Sequence, residues 1–237
     1  MHNKPYILST TLLPGSLINK IAASGIDMDM LAFIDIDKKD DAETGETINS
    51  LAKENLCVVF TSANAVEAVS QLIDNKPPWK IFCVGNTTAE LAGKCFGDII
   101  VATASDAAAL AALILQHPEI NEVLFFCGDM RREDLPKILV KNKVRVKEVV
   151  VYKTSLTPQK ITDAYNAILF FSPSAVESFF STNDIWPGAI LFAIGNTTAK
   201  ALKAKTENKI IISDLPGKEH LINKMIQYYI AINKTIS

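Results

Sequence analysis

Two short segments rich in hydroxyl and amide side chains each occur twice in this chain. The sequence Gly-Asn-Thr-Thr-Ala begins at Gly85 and again at Gly195. A second pair reads Thr-Ser-Ala-Asn-Ala-Val-Glu from Thr61 and Phe-Ser-Pro-Ser-Ala-Val-Glu from Phe171. Each segment follows an apolar run and precedes a helical pattern, so its free backbone N–H groups and the positive end of the helix dipole can attract an anion. These residues therefore indicate recognition of negatively charged groups.

The two pairs share one spacing. Gly85 and Gly195 are 110 residues apart, and so are Ser62 and Ser172, which predicts an internal duplication. For any single segment an ordinary helix start is the simpler interpretation: Ser62 and Ser172 are good N-caps, while Ser174–Glu177 and Thr87–Glu90 fit capping boxes. The candidate anion-binding residues are Thr61, Ser62, Ala63, Asn64, Gly85, Asn86, Thr87, Thr88, Ser172, Pro173, Ser174, Ala175, Gly195, Asn196, Thr197 and Thr198.

Apolar runs alternate with helical patterns along the chain, which predicts parallel strands and an α/β fold. The second copy stops one strand-helix-strand unit short, and the N-terminal segment supplies the missing pattern. We therefore predict two similar domains, each a five-stranded parallel sheet flanked by helices. Residues 1–35 and 155–237 form one domain and residues 38–151 the other. Segments 35–39 and 150–157 cross between them as a hinge, with a cleft between the domains.

Composition excludes several classes of protein. The formal net charge is −2, which argues against binding duplex nucleic acid. Four cysteines show neither a CxxC pair nor zinc-finger spacing, so we expect free thiols, no metal and a reducing compartment. The longest apolar run, Ala107–Leu115, has nine residues and is too short to cross a bilayer. The Gly-Asn-Thr-Thr-Ala turn lacks the later glycine or Lys-Ser/Thr pair of nucleotide-binding loops. We expect a cytoplasmic protein.

Two further residues are candidates. Arg131, in the sequence GDMRREDL, lies at a predicted helix start, where it could bind a carboxylate or belong to a solvated helix face. Tyr152 ends the strand VVVYK near the second predicted crossing. A tyrosine that closes a strand is more often a packing residue than a catalytic one.

Taken in order, the motifs of this chain resemble those of the uroporphyrinogen-III synthase family. The segments that carry the resemblance are VVFTSANAVEA, VGNTTAELA, GDMRREDLPKIL, VVVYKT, FFSPSAVESF and AIGNTTAKAL, and together they cover nearly the whole chain. The predicted discontinuous two-domain layout agrees with that family's fold. Many members carry an arginine after the first strand, where this chain has LSTTLL, so Ser9, Thr10 and Thr11 are expected to replace it as neutral donors.

The resemblance implies an enzyme that closes hydroxymethylbilane, a linear tetrapyrrole with eight carboxylates, to uroporphyrinogen III. It implies no metal or organic cofactor, a monomer and transient contact with hydroxymethylbilane synthase. Tyr152 matches the family's motif tyrosine and would donate a proton to the departing hydroxyl. Thr88 and Thr198 match its turn threonines and would bind carboxylates or line the cleft.

Two other functions fit the same residues. The first is a non-catalytic, hinged two-domain protein that binds a small ligand without turnover. The second is a degenerate synthase-like domain kept for regulation, against which the retention of Tyr152 and all four turns weighs.

Overall fold

A computed structural model describes residues 4–97, 99–215 and 217–236, and of residues 233–236 only the backbone. Residues 1–3 of the first predicted domain therefore lie outside the described chain. The described elements are, in order, β1 (Tyr6–Ser9), α1 (Gly15–Ala23), β2 (Asp27–Met30), β3 (Ile34–Lys38), α2 (Ala42–Leu51), β4 (Cys57–Phe60), α3 (Ala63–Ser70), β5 (Lys80–Val84), α4 (Asn86–Phe96), β6 (Ile100–Ala104), α5 (Ala107–Ile114), β7 (Glu122–Gly128), α6 (Asp134–Lys141), β8 (Arg145–Leu156), β9 (Ala167–Phe170), α7 (Pro173–Phe180), β10 (Ile190–Ala193), α8 (Asn196–Lys203), β11 (Ile210–Ile212) and α9 (Lys218–Ile236).

The chain divides into two compact units. Unit 1 contains the chain up to Asp35 and from Ser155 onward, and unit 2 contains Ile36–Thr154. The sheet of unit 1 has the strand order β11-β10-β9-β1-β2. The sheet of unit 2 has the order β3-β8-β7-β4-β5-β6. That each unit folds as an independent domain stays a prediction.

Five strands of each sheet follow the same order. If β1-α1-β2 of unit 1 is equated with β7-α6-β8 of unit 2, the order β11-β10-β9-β1-β2 becomes β6-β5-β4-β7-β8. Every strand pair within these two sets is parallel. The α/β fold with parallel sheets is therefore confirmed, and the matching order agrees with the duplication inferred from the constant spacing.

The sheet of unit 2 contradicts the prediction of five strands. It has a sixth, β3 (Ile34–Lys38), which lies beside β8 in a segment predicted to be only a linker. The Lys39 N–H donates to the Val151 carbonyl at 2.9 Å, so this segment satisfies backbone groups along β8. Its sequence, IDIDK, alternates half-buried and exposed residues as expected of a strand, a signal that the linker prediction did not use.

Alternate residues of the central strands enter opposite cores. In unit 2, Val58 and Phe60 pack beneath α2, α3 and α4, whereas Val59 packs beneath α5 and α6. In unit 1, Ile7 faces α1 and α9, and Leu8 faces α7 and α8. Strands buried on both faces explain the continuous apolar runs in the sequence, as is usual for parallel sheets.

A carboxylate in unit 1 accepts hydrogen bonds from two tyrosines. The hydroxyls of Tyr6 and Tyr165 both donate to Asp29 Oδ2, the latter at 2.8 Å. The two rings lie 4.6 Å apart between centroids, and Tyr165 is only 3% exposed. Burial and the hydrogen bond to Asp29 raise the pKa of the Tyr165 phenol. The cluster joins β1, β2 and the residues that precede β9.

Replacing Asp29 should destabilise the protein more than replacing Asp27 in the same strand. Asp29→Ala leaves the buried Tyr165 hydroxyl without its acceptor, and we expect a loss of about 2 kcal/mol in the free energy of unfolding. Asp27→Ala, at an exposed position of the same strand, should cost less than about 0.5 kcal/mol. Urea unfolding of both variants measures the difference, and equal effects would contradict a structural role for the tyrosine–carboxylate cluster.

Candidate functional site

All four repeated turns follow central strands of their sheets. Ser62 follows β4 and Gly85 follows β5 in unit 2, whereas Ser172 follows β9 and Gly195 follows β10 in unit 1. β4 is parallel to β5, and β9 is parallel to β10. Each unit therefore presents two helix N-termini at the carboxyl edge of its sheet, where ligands of open parallel sheets bind.

Serine caps two of these helices. Ser62 Oγ accepts from the Ala65 N–H at 3.2 Å, and Ser172 Oγ accepts from the Ala175 N–H at 3.0 Å. Ser174 does not cap its helix; its hydroxyl lies 3.0 Å from that of Ser172. The predicted capping box at Ser174 is therefore wrong, because α7 begins two residues earlier in the turn.

The other two helices begin after glycines, which have no side chain to cap them. Gly85 and Gly195 are the N-cap residues of α4 and α8, so the predicted capping box at Thr87 is also wrong. No acidic residue lies in the first turn of α3, α4, α7 or α8. By contrast, α2 and α6 carry Glu43 and Asp134 there. The positive ends of the four helices are thus not compensated by carboxylates of their own first turns.

The predicted turn residues differ in accessibility. Asn86, Thr87, Pro173, Asn196 and Thr197 are exposed. Eight others are half-buried, namely Thr61, Ser62, Ala63, Asn64, Gly85, Ser172, Ser174 and Gly195. Ala175, Thr88 and Thr198 are buried, at 2%, 6% and 1% exposure. Solvent therefore reaches the first two residues of α4 and α8, whereas the threonine at the third position points into each core.

The two glycine turns have different backbones despite their identical sequences. Gly85 has φ 80°, in the left-handed region, whereas Gly195 has φ −176°, which any residue adopts. A side chain at position 85 is strained for that reason. A Cβ at position 195 would meet no atom within 4 Å.

Tyr152, Ser62 and Gly128 come together in unit 2. The Tyr152 hydroxyl lies 3.1 Å from Ser62 Oγ. A Cβ at position 128 would lie only 2.4 Å from Tyr152 Cε2 and Cζ, so the ring occupies space that glycine alone leaves open. The half-buried Tyr152 also packs against the core beneath α3 and α4. Three consecutive positions across the sheet, in β8, β7 and the turn after β4, thus meet at one point.

This meeting point lies where the strand order reverses. From β4 the chain proceeds through β5 and β6 to one side, whereas β7 and β8 lie on the other side. Such switch points are where parallel α/β sheets usually bind ligands, outside the carboxyl ends of the strands. Gly128 was not predicted from the sequence; the signal was a glycine that ends an otherwise large, apolar strand, EVLFFCG.

Burial governs the protonation of this tyrosine. It raises the pKa of the Tyr152 phenol above its ordinary value, and the hydrogen bond with Ser62 offsets part of the rise. Because an unperturbed phenol has a pKa of about 10, Tyr152 carries its proton at neutral pH. It can therefore donate a proton and cannot serve as a base in its resting form.

The segment after β7 is fixed to β8. Asp129 Oδ1 accepts from the Thr154 N–H at 2.9 Å, and the Asp129 N–H donates to the Tyr152 carbonyl at 3.1 Å. Arg131 contacts two carboxylates, Glu133 at 2.5 Å and Glu148 at 2.6 Å. Its charge is therefore already balanced within unit 2, and a substrate carboxylate would compete with both partners.

Two of the hydroxyls expected to replace the family's arginine are used internally. Ser9 and Thr10 are fully buried. Ser9 Oγ donates to the Thr11 carbonyl at 2.6 Å, and Thr10 Oγ1 donates to the Leu169 carbonyl at 2.8 Å. The expectation that Ser9 and Thr10 donate to a ligand is therefore wrong, since the single O–H of each already donates to a backbone carbonyl. Thr11 is half-buried and stays a candidate.

Other features of the described chain lie away from these turns. One surface cavity of about 190 Å³ is lined by Lys160 and Trp186, and another of about 440 Å³ by Val140 and Arg145. Within residues 4–97, 99–215 and 217–236, no group of three or more His, Cys, Asp or Glu is placed to hold a metal ion. No helix in those ranges is both long and apolar enough to cross a membrane.

Comparison with known proteins identifies one family. A family model described as uroporphyrinogen-III synthase HemD matches residues 15–223. A uroporphyrinogen-III synthase from Saccharomyces cerevisiae is 25% identical over 130 residues. That match spans 46% of this chain and 46% of the yeast protein, so it covers about half the length of the curated relative.

Solved structures resemble the whole fold. A mutant uroporphyrinogen III synthase from Thermus thermophilus has a TM-score of 0.69 and 17% identity, covering 97% of this chain and 99% of that one. A uroporphyrinogen-III synthetase from Helicobacter pylori has a TM-score of 0.60 and 16% identity, covering 95% of this chain and 99% of that one. At these identities the likeness concerns the fold.

The two glycine turns should respond differently to alanine. Gly85→Ala forces a Cβ into the left-handed region, and we expect a loss of about 1–2 kcal/mol in unfolding free energy. Gly195→Ala meets open space in extended backbone and should leave stability within about 0.5 kcal/mol. Thermal unfolding compares the two variants, and equal losses would contradict the difference in backbone conformation.

A methyl group at position 128 should displace the Tyr152 ring. The overlap with Cε2 and Cζ makes Gly128→Ala an overpacking substitution, with an expected loss of about 1–3 kcal/mol. Gly93→Ala, in the middle of α4 with open space around it, should be neutral or stabilising by up to about 1 kcal/mol. Chemical unfolding measures both, and unchanged stability in Gly128→Ala would contradict the close approach of ring and backbone.

Proposed function

Because the chain belongs to the uroporphyrinogen-III synthase family, we propose that it converts hydroxymethylbilane to uroporphyrinogen III. The reaction loses water, closes the macrocycle and reverses the last pyrrole ring, ring D. A C–O bond breaks without hydrolysis or oxidation, which makes the proposed enzyme a lyase. The observation that carries the assignment of residues is the Tyr152 phenol, which lies beside Ser62 and Gly128 at the switch point of unit 2.

Tyr152 begins the reaction in this proposal. Its proton passes to the hydroxyl of the terminal hydroxymethyl group while the pyrrole nitrogen lone pair assists departure. The C–O bond breaks, water leaves and an azafulvene cation forms. Burial favours the protonated phenol, which an acid catalyst requires at neutral pH.

The remaining steps rearrange ring D. Its substituted α-carbon attacks the azafulvene carbon and gives a spiro intermediate. The bond that originally joined this carbon to the methylene bridge of the neighbouring pyrrole then breaks and produces a second azafulvene. The free α-carbon of ring D attacks that azafulvene and closes the macrocycle with ring D reversed. That carbon then loses its proton, and a proton returns to the Tyr152 phenolate. The net change is loss of one water.

The repeated turns bind the carboxylates in this proposal. The substrate carries eight carboxylates and the chain has a net charge of −2, so the overall charge of the protein does not attract it. The attraction must come from local dipoles. The four helix N-termini supply backbone N–H donors, and their first turns contain no acidic residue. The exposed Asn86, Thr87, Asn196 and Thr197 add side-chain donors. A carboxylate near such a terminus gains about 0.3–1 kcal/mol, up to about 2 when partly buried.

Not every predicted residue contributes equally to this proposal. The buried Thr88 and Thr198 support their turns through packing and present backbone N–H groups. Arg131, paired with Glu133 and Glu148, positions the turn after β7. We assign direct contacts first to the exposed turn residues Asn86, Thr87, Asn196 and Thr197. Ser62 and Ser172 contribute by capping the helices whose N-termini bind the carboxylates.

Positioning accounts for the product. Hydroxymethylbilane cyclises unaided to the unrearranged type I isomer, so the protein must direct one ring D carbon rather than its neighbour to the azafulvene. Held reactants gain large effective concentrations, which is sufficient to favour one of two similar attacks. An extended set of neutral donors suits that task better than a single strong ion pair.

The proposed substrate is unstable, which bears on the partner protein of the enzyme. We propose transient contact with hydroxymethylbilane synthase, because direct transfer would limit unaided cyclisation. We also propose a monomer in the cytoplasm; the four free cysteines fit a reducing compartment. A non-catalytic binding protein of similar fold is disfavoured by the family match and by the placement of Tyr152.

The product isomer tests the proposed function. Hydroxymethylbilane is generated in situ, the protein is added, and the oxidised products are separated chromatographically. We expect mostly the type III isomer, because the protein directs the inverted closure. Only type I product, formed at the rate seen without protein, would overturn the proposed function and favour the non-catalytic interpretation.

Tyr152→Phe tests the acid. The variant keeps the ring over Gly128 and removes the proton donor, so we expect kcat to fall about 10- to 100-fold with KM little changed. Tyr229→Phe is the matched control, because the Tyr229 hydroxyl is buried and has no hydrogen-bond partner among the described residues. Wild-type turnover in Tyr152→Phe would remove Tyr152 from the mechanism.

A further inference from the structure

We propose that Ser62 is a positioning residue that donates a hydrogen bond to the Tyr152 oxygen and stabilises the phenolate left after proton transfer. The inference rests on the proposed function and adds a second residue to the acid step. It gives the turn after β4 two tasks, since Ser62 also caps α3.

The hydrogen-bonding capacity of Ser62 supports this direction. Its oxygen accepts from the Ala65 N–H at 3.2 Å, which leaves its own O–H to be donated. The Tyr152 hydroxyl, 3.1 Å away, is the partner that the structure gives to Ser62 besides Ala65 within the described residues. When Ser62 donates to the Tyr152 oxygen, the phenol proton is free to point at a substrate.

A donor at this position stabilises the charge that proton transfer leaves on Tyr152. When the Tyr152 proton passes to the departing hydroxyl, the O–H bond electrons remain on the phenol oxygen as a negative charge. Ser62 Oγ lies 3.1 Å from that oxygen, and the Ala65 N–H polarises Ser62 from the positive end of α3. The charge disappears when the phenolate regains a proton at the end of the reaction.

The backbone fixes the other side of the ring. The Tyr152 ring leaves no room for a side chain at position 128, and the Asp129 N–H donates to the Tyr152 carbonyl at 3.1 Å. The ring is therefore held by backbone, while its oxygen is held by Ser62. This division predicts that loss of the Ser62 hydroxyl changes the acidity of Tyr152 without releasing its ring.

The duplicated unit argues against a mere capping role. Ser172, which occupies the same position in unit 1, caps α7 with the same geometry but has the Ser174 hydroxyl as its neighbour at 3.0 Å. The fold thus needs only a capping serine at this turn. Among the described residues, the contact between that serine and a tyrosine is found in unit 2.

Kinetics of a double-mutant cycle test the inference. We expect Ser62→Ala to lower kcat about 10-fold with KM nearly unchanged, and Ser62→Thr to restore most of the rate. In a Tyr152→Phe background, Ser62→Ala should cause no further loss, because the group it acts through is absent. Equal losses in both backgrounds would show that Ser62 acts independently of Tyr152 and would overturn the proposal.

A second capping residue separates catalysis from stability. Asp41 caps α2 in the same unit by accepting from the Thr44 N–H at 2.9 Å. Asp41→Ala should destabilise unit 2 about as much as Ser62→Ala while leaving kcat unchanged. If both variants lower kcat equally, the effect of Ser62 is structural and the proposal fails.

An NMR titration of the Tyr152 phenol tests the inference without requiring turnover of a substrate. In protein labelled with ¹³C at tyrosine Cζ, Tyr152→Phe assigns the Tyr152 resonance. We expect Ser62→Ala to raise the pKa of Tyr152 further, since a donor to the phenolate is lost. An unchanged titration would overturn the inference, whereas type I product from the wild type would overturn only the proposed function.

Discussion

Parallel pairing of the strands places every reactive group that we describe. Because each neighbouring strand in both five-strand sets runs in the same direction, the turns that follow them collect at one edge of each sheet. The helices that start there bring unpaired N–H groups to that edge. The reversal of strand order between β4 and β7 then leaves space beside Ser62 and Gly128, into which the Tyr152 ring fits.

The two units share this framework and differ in what they attach to it. In unit 2 a capping serine and a glycine contact the tyrosine to which we assign the acid step. At the corresponding turns of unit 1, Ser172 lies beside Ser174, and the hydroxyl of Thr10 is buried against a backbone carbonyl. Duplication therefore produced two similar carboxyl edges. Within the described residues, the tyrosine pairing that we assign to acid chemistry belongs to unit 2.

Neutral donors suit the substrate that we propose, which carries eight carboxylates. A buried cluster of lysines or arginines would pay a large desolvation cost in the absence of ligand. Backbone N–H groups at helix starts are already fixed by the fold and lose little freedom when a carboxylate binds. Arg131, in the turn after β7, is balanced by two glutamates, so it strengthens that turn more readily than it binds an anion.

Periodicity and repetition were sufficient to predict the α/β class, the parallel pairing and the four turns, since these depend on local patterns. The role of Tyr152 came from the family's motif and stays a prediction. Three features depended on contacts between distant residues. The glycines at 85 and 195 have identical flanking residues yet different φ angles. The need for glycine at position 128 arises only when β8 pairs with β7 and brings the Tyr152 ring against it. Strand β3 is short and only half-buried, and it is stabilised by its place beside β8.

The interrupted course of unit 1 has a consequence for how the chain is made. Strand β1 lies between β2 and β9, and its Ile7 pairs with Ala167, which the ribosome adds 160 residues later. Unit 2 is continuous in sequence and can begin to fold while β1 still lacks this neighbour. The edge of β1 that pairs with β9 therefore stays unpaired until the second half of the chain emerges. A nascent chain of this kind leaves a strand edge unpaired for longer than one whose sheets are completed in order.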